Sequence, residues 1–208
     1  MATIKPFVCV RPNAQAADKV AALPYDVYNR EEAYEAVKGN DLSFLRIDRA
    51  ETQFEPSVDT YDERVYDKAK ELLDGMIEDG TFITDRDECY YIYELTMDGR
   101  TQTGLVACAS IDDYADNIIK KHENTRADKE ADRIHHVDTC DAQTGPIFLA
   151  YRANETVRSI MDRVKKEQTL YSFTSDDGIR HQVWKIGKPE DIEAIRSEFE
   201  KTDSIYNG

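Results

Sequence analysis

The chain has 208 residues, 40% hydrophobic and 33% charged, enough to bury a sizeable core without disulfide or metal staples. Its 42 acidic against 27 basic residues give a formal net charge of −15, which argues against nucleic acid as a partner, since phosphate backbones need a basic face. No signal-peptide pattern and no run of roughly 20 apolar residues is visible, so a cytoplasmic protein with no membrane partner is expected.

Residues 4–10 read as a short buried strand ended by Pro12-Asn13. Leu23-Pro24-Tyr25-Asp26-Val27 reads as extended, because Pro24 biases Leu23 away from helix. Residues 30–38 have helical composition and stop at Gly39-Asn40, and Phe44-Leu45-Arg46-Ile47 looks like a strand. Thr60 and Glu63 form a capping-box pattern before Val65, Ala69, Leu72, Leu73, Met76 and Ile77, which recur at helical spacing until Gly80. Strand-like runs at 90–95 and 104–110 flank Asp98-Gly99, a hairpin signal. Thr125 predicts an N-cap for a helix reaching about Val137, and residues 146–151 an apolar strand. Asn154 caps a helix with Val157, Ile160, Met161 and Val164 on one face. Runs at 170–173 and 182–186 bracket a second hairpin at Asp176-Asp177-Gly178, and Pro189 opens a last helix through Ile192, Ile195 and Phe199. Ser204-Ile205-Tyr206 begins another strand. This pattern predicts one α+β domain over 1–208, with a mixed sheet, two antiparallel hairpins and about five helices.

Cys9, Cys89, Cys108 and Cys140 stand far apart with no C-x-x-C pair, which excludes a zinc ribbon or a redox dithiol by pattern. Cys9 and Cys108 sit in apolar runs and read as core residues. No glycine-rich phosphate loop and no G-x-S-x-G elbow occurs. The adjacent His135 and His136 lack the spacing of a shared metal, so no metal site is expected.

The stretch Lys121-His122-Glu123-Asn124-Thr125, followed by Lys129, Asp132 and Arg133, gathers bases, a carboxylate and a hydroxyl at a strand-to-helix junction. Lys129 and Arg133 lie four apart on one helix face, a like-charge pair that either neighbouring carboxylates such as Asp132 or a bound anion would relieve. His122 and Glu123 read either as an acid–base pair or as a polar residue and a first-turn carboxylate. Tyr25 and Asp26 either face a ligand or close a turn. Arg46, inside an apolar run, is either solvent-facing or buried with a partner.

Taken in order, Ile4-Lys5-Pro6-Phe7, Pro24-Tyr25-Asp26-Val27, Phe44-Leu45-Arg46-Ile47, Tyr91-Ile92-Tyr93-Glu94, Gly104-Leu105-Val106, His122-Glu123-x-Thr125 with Lys129-x-x-Asp132-Arg133, and Pro146-Ile147-Phe148 resemble domain-of-unknown-function family 1015 over nearly the whole chain. The resemblance implies a longer relative in which an Asp-Gly-His-His-Arg motif follows Ile205-Tyr206-Asn207-Gly208, making this a short or N-terminal portion. That motif is similar to the phosphate-contacting signature of ParB-like and sulfiredoxin-like nucleotide-using folds. This likeness, with that to free-serine kinases, implies small-molecule phosphoryl transfer. Glu123 would be the base and His122 its partner, while Thr125, Lys129, Arg133, Tyr25, Asp26 and Arg46 would bind an anionic ligand. Magnesium would accompany a nucleotide. The alternative is a non-catalytic binding or assembly module, with homo-oligomerisation left open.

Overall fold

The computed structural model describes residues 1–122 and 126–207. In chain order the elements are β1 (Ile4–Lys5), β2 (Val10–Pro12), α1 (Ala17–Val20), α2 (Arg30–Ala36), α3 (Leu45–Asp48), α4 (Glu63–Glu78), β3 (Phe82–Thr84), β4 (Tyr90–Met97), β5 (Arg100–Val106) and β6 (Cys108–Ala109). They continue with α5 (Ile111–Ala115), β7 (Ile119–Lys120), α6 (Ala127–Cys140), β8 (Leu149–Ala150), α7 (Glu155–Val164), β9 (Tyr171–Thr174), β10 (Arg180–Ile186), α8 (Pro189–Phe199) and β11 (Ile205–Asn207). The class is α+β, as the pattern predicts. The described residues hold more α-helices than the five or so expected, because α1, α3 and α5 have four or five residues each and leave no periodic signature.

Two compact units divide the chain. The first comprises Met1–Ala14, Thr84–Asn124 and Ile147–Gly208. It is built on an antiparallel sheet in the order β5-β4-β10-β9. The β4–β5 turn is Asp98-Gly99, with both residues at positive φ (50° and 74°), the type I′ geometry that suits the twist of paired strands. The β9–β10 turn carries Gly178 at φ 82°. Tyr90, Ile92, Trp184 and Ile186 bury one face of this sheet against Val157, Ile160, Met161 and Val164 of α7 and Ile195 and Phe199 of α8. Glu94 lies among them, satisfied by Lys165 Nζ at 2.6 Å and by the Thr103 hydroxyl at 2.7 Å. A second, mixed sheet sets β11 between a parallel β7 and an antiparallel β8.

The second unit comprises Gln15–Ile83 and Thr125–Pro146. Its core joins Ile47 of α3, Val65, Ala69, Leu73 and Met76 of α4, and Cys140 of α6. Asn29 and Glu32 form a complete capping box at the start of α2.

Several local expectations are corrected. Phe44-Leu45-Arg46-Ile47 is not a strand: Leu45 and Ile47 are buried on α3, where a short alternating run mimics a β pattern. The N-cap of α4 is Asp62, whose carboxylate accepts from Arg64 N–H at 3.0 Å, rather than Thr60. α6 starts at Ala127 behind Arg126. Of residues 146–151 only Leu149–Ala150 pairs as a strand, while Ile147 and Phe148 are 72% and 57% exposed. Cys108 is exposed and Cys9 half-buried, so neither is a core residue, whereas Cys89 and Cys140 are buried.

Candidate functional site

A pocket of about 500 Å³ opens in the second unit, within the size range of small-molecule sites. Four chain segments line it, one of them running from Asp59 and Tyr61 into the first turn of α4 at Tyr66. After Pro24, whose φ of −52° suits a turn start, residues Tyr25–Val27 form a 3-10 turn that brings Tyr25 and Asp26 to the wall. The end of α3 and the residues after it supply Asp48, Arg49 and Glu51. From α6 come Lys129, Asp132, Arg133 and His136, spaced three and four apart so that they fall on one helix face.

The α6 cations are held in different ways. Arg133 lays its guanidinium over the Tyr25 ring, 4.3 Å from the centroid, a cation–π contact. It also donates through Nε and Nη2 to Asp132 Oδ2, at 3.1 and 3.0 Å. The other oxygen of Asp132 accepts from the Tyr66 hydroxyl at 2.8 Å, and burial together with this bond raises the phenol's pKa. Lys129 Nζ donates to the Tyr61 hydroxyl at 3.1 Å and sits 5.7 Å from that ring's centroid. Among the described residues no carboxylate pairs with it. The bond to Tyr61 is the main reason its pKa is raised.

At the floor, Arg49 and Glu51 neutralise each other. Arg49 Nε donates to Glu51 Oε1 at 2.6 Å, and Nη1 donates to the carbonyls of Tyr25 and Tyr28 at 3.0 and 2.8 Å. Asp48 is different. Its nearest basic group is His136, with Nε2 to Oδ1 at 3.8 Å, too long for a hydrogen bond. Burial pushes the Asp48 carboxyl up from 3.8 to about 6, although a bond from Thr144 and the charge of Arg133 act the other way. Burial pulls His136 down from 6.5 to about 4, and Arg133 adds to that effect. Cys140 Sγ lies 3.8 Å from His136 Nε2.

Of the residues that the sequence pointed to, the structure brings Tyr25, Asp26, Lys129 and Arg133 into one pocket. Arg46 is not in its lining. It donates to Gln53 Oε1 at 3.3 and 2.8 Å and pairs with Asp41 at 3.2 Å. His122 is exposed and belongs to the first unit. Glu123 and Thr125 lie outside the described residues. Asp48, Arg49, Glu51, Tyr61 and Tyr66 escaped the sequence reading, and His136 entered it only as a metal ligand to discount. The face of α6 shared by Lys129, Asp132, Arg133, His136 and Cys140 was the available signal.

No group of three or more His, Cys, Asp or Glu side chains among the described residues is placed to hold a metal ion. No helix among them is long and apolar enough to cross a membrane.

An α+β scaffold with a small-molecule-sized pocket lined by charged and aromatic side chains is the class that these features define. Within that class the chain belongs to the family described as "Protein of unknown function (DUF1015)", whose profile matches residues 4–208. No curated protein and no solved structure matches it significantly.

Proposed function

We propose that this pocket binds the anionic group of a small molecule and serves a kinase-like phosphoryl transfer. The observation that carries the reading is the pair of α6 cations on the pocket wall. Lys129 meets a phenol rather than a carboxylate, and Arg133 is spread over Tyr25 with one carboxylate partner. Two cations held by aromatic faces keep N–H groups free for phosphate oxygens, and a planar guanidinium suits that geometry. Tyr25 orients Arg133, and Asp26 stands at the solvent-facing edge. Magnesium would arrive with the nucleotide as part of the substrate complex. The reading rests on the second unit alone, so the acid–base roles expected of His122 and Glu123 are not part of it.

Calorimetric titration of the protein with magnesium–ATP and magnesium–ADP tests it. Binding is expected, with at least a tenfold loss in both Lys129→Ala and Arg133→Gln, about 1.4 kcal/mol or more for each contact. Absence of binding by either nucleotide removes the phosphoryl-transfer reading.

A further inference from the structure

Asp48 poses a charge problem at the floor of the pocket. Its side chain is 14% exposed, and its ionised form has no cation within ion-pair distance among the described residues except the histidine 3.8 Å away. The groups that face it are Arg133, His136 and Cys140 on α6 and Thr144 just beyond that helix. Lys70 and Asp74 on α4 act on Cys140 from the other side. Arg133 is already committed to Asp132, and Arg49 to Glu51. An anion entering between Lys129 and Arg133 would therefore meet a buried carboxylate whose charge is offset only in part, by a bond from Thr144 and by the shared charge of Arg133. Two like charges in a poorly solvated site cannot both persist at low cost, and a proton on the carboxyl removes the conflict.

We propose that Asp48 enters the ligand complex as a neutral carboxylic acid and donates its O–H to the bound anion, so that binding takes up one proton. This deepens the reading of the pocket as an anion site and rests on it. The balance is simple: a solvent proton joins the Asp48 carboxylate as the anion binds, no other bond changes, and release returns both. Asp48 then acts as a proton-dependent latch. The ligand class that fits is a fully ionised phosphate or sulfate ester, whose oxygen accepts from Asp48 while Lys129 and Arg133 supply charge. The upward displacement of the Asp48 pKa by burial leaves its titration within reach of neutral pH, where His136 is already uncharged.

Sodium sulfate is the probe, because its charge is constant from pH 5 to 8. Calorimetry across that range should show affinity falling up to tenfold per pH unit above about pH 6, with one proton taken up per sulfate bound. Proton uptake is read from the dependence of binding enthalpy on buffer ionisation enthalpy. Asp48→Asn should bind sulfate with no such slope and no proton uptake, and His136→Gln should keep both. If Asp48→Asn fails to fold, proton uptake by the unsubstituted protein decides. Sulfate binding without pH dependence or proton uptake overturns the latch and leaves the anion pocket standing. Absence of sulfate binding at pH 5 also overturns it, and the nucleotide titration then decides the fate of the pocket separately.

Discussion

Asp48 and His136 bring opposite pH dependences to one buried contact. The folded-state pKa of Asp48 is raised, from 3.8 to about 6, so the folded protein binds the extra proton between those values and loses stability as pH rises through them. The folded-state pKa of His136 is lowered, from 6.5 to about 4, so here the unfolded chain holds the extra proton and stability rises with pH over nearly the same window. The two slopes largely cancel between pH 4 and 6. Asp48→Asn removes one of them. Urea denaturation should then show this variant losing about 2 kcal/mol more stability than the unsubstituted protein between pH 7 and pH 4.5. Equal losses would mean that Asp48 binds no extra proton in the folded state and offsets nothing. None of this was visible in the sequence, because desolvation depends on what packs over a side chain. Lys129 and Arg133 were legible, since their spacing alone puts them on one helix face. Asp48 was not, since it follows an apolar run that reads equally as strand or helix.

At the level of elements, local chemistry was the most readable part of the fold. Asp98-Gly99 predicted its hairpin, Asn154 its helix and Pro189 its helix start, because each acts through backbone geometry within four residues. The cap of α7 has more than a local role. Asn154 Oδ1 accepts from Val157 N–H at 3.0 Å while its Nδ2 donates to Glu198 on α8 at 2.8 Å, tying two helices that cover the same sheet. Asn154→Ala should cost about 1–2 kcal/mol in chemical denaturation, more than Asn154→Ser, which keeps a capping oxygen but loses the donor to Glu198. Where the sequence misled, the element was short or sustained by distant partners. α3 has four residues, and β8 exists only through its pairing of Ala150 with Tyr206 and Leu149 with Asn207. Sequence reading has no access to partners at that separation.

For the whole molecule, charge is the dominant field. With 42 acidic and 27 basic residues, self-repulsion opposes folding and salt should relieve it. The thermal midpoint is expected to rise between 0.01 and 0.3 M sodium chloride, as the screening length falls from about 30 Å to below 8 Å. A midpoint that falls over this range would show that paired charges such as Arg11–Asp85 and Lys165–Glu94 outweigh the repulsion. The main sheet carries another consequence, one set during synthesis. β4 is buried between β5 and β10, yet β5 follows it at once while β10 begins at Arg180, roughly 80 residues after β4 ends at Met97. At about 5–20 residues per second, the ribosome leaves Tyr90 and Ile92 on a half-built sheet with an unpaired edge for on the order of 4–16 seconds. The nascent chain therefore presents an apolar strand edge throughout that interval, and the speed of translation through the residues between β5 and β10, α6 and α7 among them, sets how long the exposure lasts.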